Sequence, residues 1–405
     1  MKKIRVVVFC ITAAVVIAAV PAAAYGSRNL VPRQREYGAG FADAEGTWCG
    51  RYAQTCYEAG LMDGKSSVGF DSAGTLTNAQ ITVISARLLS LLQGGGRTLL
   101  QAQEGEAWYQ PAYDRLVKNG VLAKPEDRQS VLPSFESWQA ESPATRELFV
   151  RLLGGALAAA EVTLPSVNSI SNLPDVRPST TRLPGIVSFY NAGILSGRDE
   201  YGTFDSDAFL SRGEAAAMLA RIVDPDQRLI FTLKPFDLCR DVLGLPPDTV
   251  LLYADGEPVT AELFGGQLVT SLVQWGEHST QRAEQDAIRI WATYSQSYFT
   301  LAEKQGVGLT EQQLADARAA AKEGAGYFGE TEAYELRLQE QSYLNSQLRS
   351  HYVEQYGDKA ADLTCNNDLA ATAKAIRVET APALESLDLS AVLTRAMASP
   401  FALVV

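Results

Sequence analysis

The chain has 405 residues, 46 % of them hydrophobic, with 47 Asp and Glu against 35 Lys and Arg and a formal net charge of −12. That length accommodates two or three domains, and the apolar fraction is that of a folding chain rather than a disordered one. The acid excess makes nucleic acid and anionic lipid surfaces poor partners.

The N-terminus departs from this average. Lys2, Lys3 and Arg5 precede an apolar run over residues 6–20, and Pro21 with Ala22, Ala23 and Ala24 supplies small residues for cleavage. This is the order of a secretory signal peptide over residues 1–24. The run falls short of the ~20 residues a membrane span needs, an uncleaved anchor being the alternative, and no other transmembrane candidate follows. Cleavage removes three positive charges and takes −12 to −15. An exported chain can oxidise its cysteines. Cys49 and Cys56, seven positions apart, would stand about 10.5 Å apart along one helix, beyond the ~7 Å bridging limit. They are expected as small buried apolar residues, and a bridge between Cys239 and Cys365 is left open.

A polar lead covers residues 25–40, and residues 41–93 hold the first of two related stretches. Phe41-Ala42-Asp43 and Trp48 precede Gly60-Leu61-Met62-Asp63-Gly64, Phe70 and Leu76-Thr77-Asn78-Ala79-Gln80. The order returns over residues 172–224 as Leu173-Pro174-Asp175-Val176, Gly193-Ile194-Leu195-Ser196-Gly197, Phe204 and Leu210-Ser211-Arg212-Gly213-Glu214. Asp43 to Thr77 is 34 positions and Asp175 to Ser211 is 36, a period that marks stacked supersecondary units. Each unit reads as a helix that exits at a glycine able to take a left-handed backbone, then a loop with an aromatic anchor. A second helix then opens on a capping box, Thr77 with Gln80 or Ser211 with Glu214. Ile81, Ile84, Leu88 and Leu91 give one such helix its apolar face, and Met218, Leu219 and Ile222 the other.

These residues resemble the S-layer homology family, a surface-anchoring module of bacterial envelopes. The family pattern is an aromatic-x-Asp start, a Trp, a Gly-hydrophobe-hydrophobe-x-Gly turn, a Phe and a Thr-Arg-Ala-Glu helix start. Asp43, Trp48, Gly60, Gly64, Phe70 and Thr77 match in one copy, and Asp175, Gly193, Gly197, Phe204, Ser211, Arg212 and Glu214 in the other. Asn78 stands at the Arg position of the first, and the later copy lacks the Trp. A degenerate copy lies between them over residues 105–160, starting near Trp108. There the run from Tyr113 to Leu122 matches the first helix with Gly120 as its exit, and Ser142-Pro143 is expected to open the second, with Phe149, Val150 and Leu153 inward.

The resemblance implies three helix-loop-helix repeats in a pseudo-threefold bundle whose grooves bind an anionic secondary cell-wall polysaccharide, and so a place at the bacterial cell surface. It implies Arg212 as the main contact, because a guanidinium fork matches the carboxylate of a pyruvate-bearing sugar; the alternative is a solvent-facing Arg at a helix start. Trp48 either stacks on a sugar face or fills the core. Asp43 and Asp175 either touch ligand or order their loops. Asn78 and Glu214 complete the candidate set, and Gly60, Gly64, Gly193 and Gly197 are the turn glycines.

Four prolines make residues 225–247 a linker. Beyond it, Val250 to Ala254 reads as a strand, Asp255-Gly256 as a hairpin turn and Glu257-Pro258-Val259 as a second strand. Thr260 is expected to cap a helix containing Leu263, Leu268 and Leu272. A long helix follows over residues 279–305, with Ile288, Trp291, Ser295, Phe299 and Ala302 on one stripe. Thr310 with Gln313 forms another capping box, with Leu309 and Leu314 as its hydrophobic staple. Further helices are expected over residues 331–356, with Leu338, Leu344, Leu348 and Tyr352 inward, and over 359–376. The order of strand, Asp-Gly turn, Val-Thr and helices over residues 250–380 resembles the peptide-binding region of SurA-like and PrsA-like extracytoplasmic foldases, without their isomerase domain. The expected fold is mainly α, the repeats being followed over residues 248–405 by a helical chaperone-like domain with a short β-hairpin. This second part is the acidic one: residues 247–405 hold 22 Asp and Glu against 11 Lys and Arg.

Catalytic patterns find no support. Residues 60–66 imitate a phosphate loop, but Ala59 stands where its first glycine belongs and the stretch leaves a helix. His278 and His351 are the only histidines, too few and too scattered for a zinc site or a Ser-His-Asp arrangement. No metal, cofactor or catalytic residue is expected. Two functions fit: a wall-anchored protein whose tyrosine-rich second part (Tyr294, Tyr298, Tyr327, Tyr334, Tyr343, Tyr352) binds unfolded exported polypeptides, or an envelope-attachment protein whose C-terminal helices are a spacer or oligomerisation unit.

Overall fold

The computed structural model describes residues 29–38, 40–95, 100–127, 130, 132–177 and 183–404, so the expected signal peptide lies outside the described residues. Those residues are mainly helical, with fourteen α-helices and one three-stranded sheet, and no helix among them is long and apolar enough to cross a membrane. The chain parts into two compact units. One runs to Ser171 and resumes over residues 184–200 and 205–233; the other takes residues 172–177, 201–204 and everything from Lys234 onward.

The first unit holds α1 (Gly50–Glu58), α2 (Asn78–Leu92), α3 (Gln110–Lys118), α4 (Arg146–Ala159), α5 (Leu183–Asn191) and α6 (Arg212–Val223). Two residues past α1, α3 and α5 stand Gly60, Gly120 and Gly193 with φ of +75°, +68° and +72°. The left-handed turn that a Cβ would oppose is therefore used three times. Gly197 is also left-handed, at φ +85°. Gly64 is held by space instead, since a Cβ there would meet the Phe41 ring and the Ser66 and Gly69 carbonyls at 2.4–2.7 Å. Both capping boxes form, Thr77 with Gln80 and Ser211 with Glu214.

The three starts of α2, α4 and α6 are tied in a closed ring. The Leu76 amide donates to the Leu210 carbonyl, Leu210 to Ala144 and Ala144 back to Leu76, at 2.8–2.9 Å. Around it the amides of Asn78, Arg146 and Arg212 donate to the carbonyls of Ser142, Ala208 and Gly74. This ring corrects the expectation that Ser142-Pro143 opens a helix. Pro143 is extended and bridges Thr77, and Thr145 caps α4 by accepting from the Leu148 amide. Phe149, Val150 and Leu153 are buried as expected. The lead also has a structural part: Arg35 donates to the carbonyls of Tyr57 and Met62 at the end of α1, and its guanidinium lies 3.5 Å over the Tyr57 ring.

In the second unit β1 (Val250–Ala254) pairs antiparallel with β2 (Glu257–Thr260) through Asp255 and Gly256, both left-handed at φ +51° and +90°, the geometry of a type I′ turn. The sheet is more than the expected hairpin. A third strand, β3 (Val378–Thr380), returns to the other edge of β1, carried by a three-residue stretch too short to show alternation. Then follow α7 (Ala261–Trp275), α8 (Thr280–Trp291), α9 (Ser297–Lys304), α10 (Glu311–Gly324), α11 (Glu332–Tyr356), α12 (Asp358–Ala375), α13 (Pro382–Glu385) and α14 (Leu389–Met397). Thr260 occupies the N-cap of α7 without a side-chain bond. The long helix expected over residues 279–305 is present but is widened to a π-helix at Ala292–Gln296. That insertion rotates the stripe, so Trp291 and Ala302 are buried while Ile288, Ser295 and Phe299 are half-buried. The Thr310–Gln313 box forms.

Two cores result. One packs α7 and α8 on the sheet and α14 around Phe264, Leu268, Leu272 and Trp291. The other joins α9, α11 and α12 around Leu301, Leu344, Leu348 and Tyr352. The proline-bearing stretch before β1 is not only a linker: Phe236, Leu238, Val242 and Leu243 are buried in the first of these cores.

Cys49, Cys56, Cys239 and Cys365 are all free and buried, with Cys239 and Cys365 in different cores. Burial pushes the Cys239 thiol up to about 12 and raises those of Cys56 and Cys365, and the thiol form is inert. A thiol reagent should therefore modify none of the four in the folded protein and all four after denaturation. Rapid native labelling of any one, or two thiols missing after denaturation, would contradict this arrangement.

Candidate functional site

A cleft of about 290 Å3 opens in the first unit. Its builders follow from local structure. Gln80, Val83, Ile84 and Arg87 recur on α2 at helical spacing and so present one face. The turn after α1 brings in Asp63, Gly64 and Lys65, Trp108 precedes α3, and Arg212 arrives from the start of α6 through the ring. Met62, Leu76, Val83 and Ile84 make an apolar floor, and Lys65, Arg87 and Arg212 place three cations on it. With Asp63 also on the wall, the lining sets three cations against one carboxylate, a local excess of positive charge in a chain of net charge −12, and such an excess in a concave wall favours anions.

Each cation is held. Arg87 Nη1 donates to the Leu61 carbonyl at 3.1 Å and lies 3.4 Å from Asp63 Oδ2, while Arg35 takes the other oxygen of Asp63 at 2.7 Å. Lys65, the most exposed of the three, pairs with Asp71 at 3.0 Å. Arg212 is only 7 % exposed. Its Nε donates to the Phe70 carbonyl at 2.8 Å and its Nη2 to the Asp63 carbonyl at 2.5 Å, and the guanidinium lies 4.8 Å over the Phe70 ring. Burial lowers its pKa, opposed by Asp71, Asp63 and Asp43. Trp108 stands half out of the wall, its Nε1 donating to Glu141 at 3.3 Å.

Of the residues expected at a ligand site, Arg212 and Gly64 line this cleft. Arg212 is not solvent-facing, as one reading had it, but clamps two backbone carbonyls. Trp48 is 63 % exposed, so it does not fill the core. Its ring edge lies against Gly213 and Tyr52, outside the cleft. Asp43 orders its loop by accepting from the Phe70 and Asp71 amides at 2.7 and 2.8 Å, which hold its carboxyl below the usual range. Asp175, in the other unit, accepts from the Phe204 amide. Asn78 donates to the Gln139 carbonyl at 2.9 Å, and Glu214 caps α6 and lies 3.2 Å from Arg146. Gly60, Gly193 and Gly197 serve backbone turns. The sequence reading missed Asp63, Lys65 and Arg87. The spacing from Gln80 to Arg87, two turns of one helix, is the signal that would have pointed to the last, and it went unused.

In the second unit, a cleft of about 220 Å3 lies among α7, the π-helical segment and α11. Tyr294 and Tyr334 line it, whereas Tyr352 is buried in the neighbouring core and bonded to Asp368. The tyrosines therefore do not form one continuous cradle. No protein-family model matches the chain, and no curated protein matches its sequence.

Proposed function

We propose that the chain is a non-catalytic exported protein held at a bacterial cell surface by three S-layer-homology-like repeats, which comprise the first unit together with residues 172–177 and 201–204 of the second and bind an anionic secondary cell-wall polysaccharide. The observation that carries this reading is the convergence of Lys65, Arg87 and Arg212 on one apolar-floored cleft beside an exposed Trp108. A sugar acid presents a carboxylate and an apolar ring face together. Arg and Lys bind the first by charge-assisted bonds, and an indole face covers the second. The second unit then faces exported clients as a foldase-like helical region lacking an isomerase, binding extended polypeptide through its own cleft. A spacer role for that unit is the alternative, favoured by the burial of Tyr352 and its neighbours in a closed core. Suppression of aggregation of an unfolded client by the isolated protein separates the two.

Lys65→Ala is expected to lower the affinity for purified cell walls about tenfold, a charge-assisted contact being worth ~1.5–3 kcal/mol, and Trp108→Ala to lower it several-fold through the lost apolar ring contact. Neither should shift the unfolding midpoint much, since an exposed pair such as Lys65–Asp71 contributes ~0–1 kcal/mol. Trp48→Ala, outside the cleft, should pellet like the wild type. Undiminished pelleting of both cleft variants would sink the assignment.

A further inference from the structure

The cleft of the second unit carries two polar groups that the fold leaves incompletely used. Trp291 is 3 % exposed, and its indole N–H has no acceptor. Arg337, on α11, donates through Nε to Ser295 at 3.2 Å and through Nη2 to Gln296 at 2.5 Å. Both acceptors are neutral, and among the described residues no carboxylate lies within ion-pair distance. Its guanidinium sits 5.6 Å from the Trp291 ring and 4.2 Å from the Phe299 ring. Arg337 is half-buried, and Glu340 acts on its guanidinium only from beyond ion-pair distance; a partly desolvated guanidinium without a bonded anion is costly, and a buried N–H without an acceptor is costly as well.

The backbone is adapted around these groups. The wide turn at Ala292–Gln296 places Tyr294 and Ser295 on the cleft wall, and the Gln341 side chain donates to the Tyr294 carbonyl. π-helical insertions of this kind collect at functional sites. Leu263, Ile290 and Leu338 complete the wall. At about 220 Å3 the space exceeds the ~150 Å3 that holds a benzene ring and falls below the ~300 Å3 of the smallest drug-sized pockets. It suits one large side chain with a polar end.

We propose that this cleft binds an apolar or aromatic group bearing a free carboxylate, the carboxylate meeting Arg337 and the Trp291 N–H and the apolar part meeting Leu263, Ile290 and Leu338. The C-terminal residue of a polypeptide and a small aromatic acid share this chemistry. The inference deepens the polypeptide reading of the second unit, but rests on it only for the source of the carboxylate.

The test uses the whole mature protein with 15N-labelled Trp, the Trp291 indole signal being identified by its absence in Trp291→Phe. N-acetyl-phenylalanine should move that signal downfield in a saturable way, and N-acetyl-phenylalanine amide, which lacks the charge, should bind at least tenfold more weakly. Arg337→Gln should remove the difference between acid and amide. Because that variant also loses its stacking, the acid-to-amide ratio on the wild type stands as the independent measurement. Two further probes identify the source: a decapeptide ending in Phe with a free C-terminus, and phenylacetate. Preference for the peptide supports a C-terminal residue, and equal binding supports a small acid. Equal affinity for acid and amide, or no shift with either at millimolar concentration, overturns the proposal. Loss of client protection with the acid-to-amide ratio intact would instead remove only the polypeptide reading.

Discussion

Arg212→Ala is expected to destabilise the first unit by about 3–5 kcal/mol and, through that, to abolish wall binding. Two hydrogen bonds from a charged donor end on the Phe70 and Asp63 carbonyls, each worth ~1.5–3 kcal/mol. Truncation leaves both carbonyls in a largely dry site, where an orphaned acceptor costs ~1–3 kcal/mol. These contributions overlap, so the total is less than their sum. Asn78 holds the same position on α2 but makes one neutral bond, to the Gln139 carbonyl. Asn78→Ala should accordingly cost only about 1 kcal/mol. Urea unfolding of the two variants checks the ranking. If Arg212→Ala keeps the wild-type midpoint and only pelleting is lost, Arg212 is a ligand contact and not a clamp.

The contrast between those readings shows what the residues alone disclosed. The repeat period, the glycine exits and the capping boxes were legible because each is a local device: a left-handed backbone or a cap needs its residue whatever surrounds it. The strand from Val250 to Ala254, its Asp-Gly turn and the Thr310 helix start were readable for the same reason. The start of α4 was not. Ser142-Pro143 has good local credentials for a cap, yet the Ser142 carbonyl is taken by Asn78 and the Ala144 amide by Leu76, partners more than sixty positions away. Thr145-Arg146 sits where Ser211-Arg212 sits in its own repeat, a match that appears only once the ring aligns the three helix starts.

The site divides in the same way. Arg212 could be singled out by motif, but its role could not, because whether a guanidinium faces ligand or backbone depends on loops contributed by another repeat. Lys65 and Arg87 belong to no motif and reach one cleft through the turn after α1 and the face of α2. In the second unit, the π-helical turn at Ala292–Gln296 has no marker in composition or period. It decides which stripe of the long helix is buried and which residues line the cleft.

Glu330→Gln is expected to stabilise the second unit by roughly 4 kcal/mol at pH 8 and by less than about 1 kcal/mol at pH 5. Glu330 follows the turn at Tyr327–Gly329 and precedes the Thr331 cap of α11, with its Oε1 against Gly266 on α7. Burial, and then the charge of Glu335, push its carboxyl up to about 8, against which Arg177 acts only weakly. Arg177 is already committed: its Nη1 lies 3.7 Å from Glu335, itself 1 % exposed, and its guanidinium covers the Tyr327 ring. One cation thus serves a half-buried carboxylate, Glu330, and a buried one, Glu335, and Tyr334 beside them has its hydroxyl pKa raised by burial as well. The fold therefore prefers protonated Glu330. Between the ordinary carboxylate value near 4.5 and about 8, the native state binds more protons than the unfolded one, so stability is full below that window, falls as pH rises through it and levels off above. At ~1.4 kcal/mol per pH unit, most of the cost is present by pH 8. Glutamine keeps the shape and removes the titration. Glu335→Gln tests the coupling: burial outweighs Arg177 and raises the Glu335 carboxyl as well, so removing its charge takes away the repulsion that helps raise Glu330 and should weaken the loss of stability between pH 5 and 8. Urea midpoints of the three proteins at pH 5, 6.5 and 8 decide the matter: a gap between wild type and Glu330→Gln that stays constant across that range would show that Glu330 is charged throughout and that its burial carries no proton.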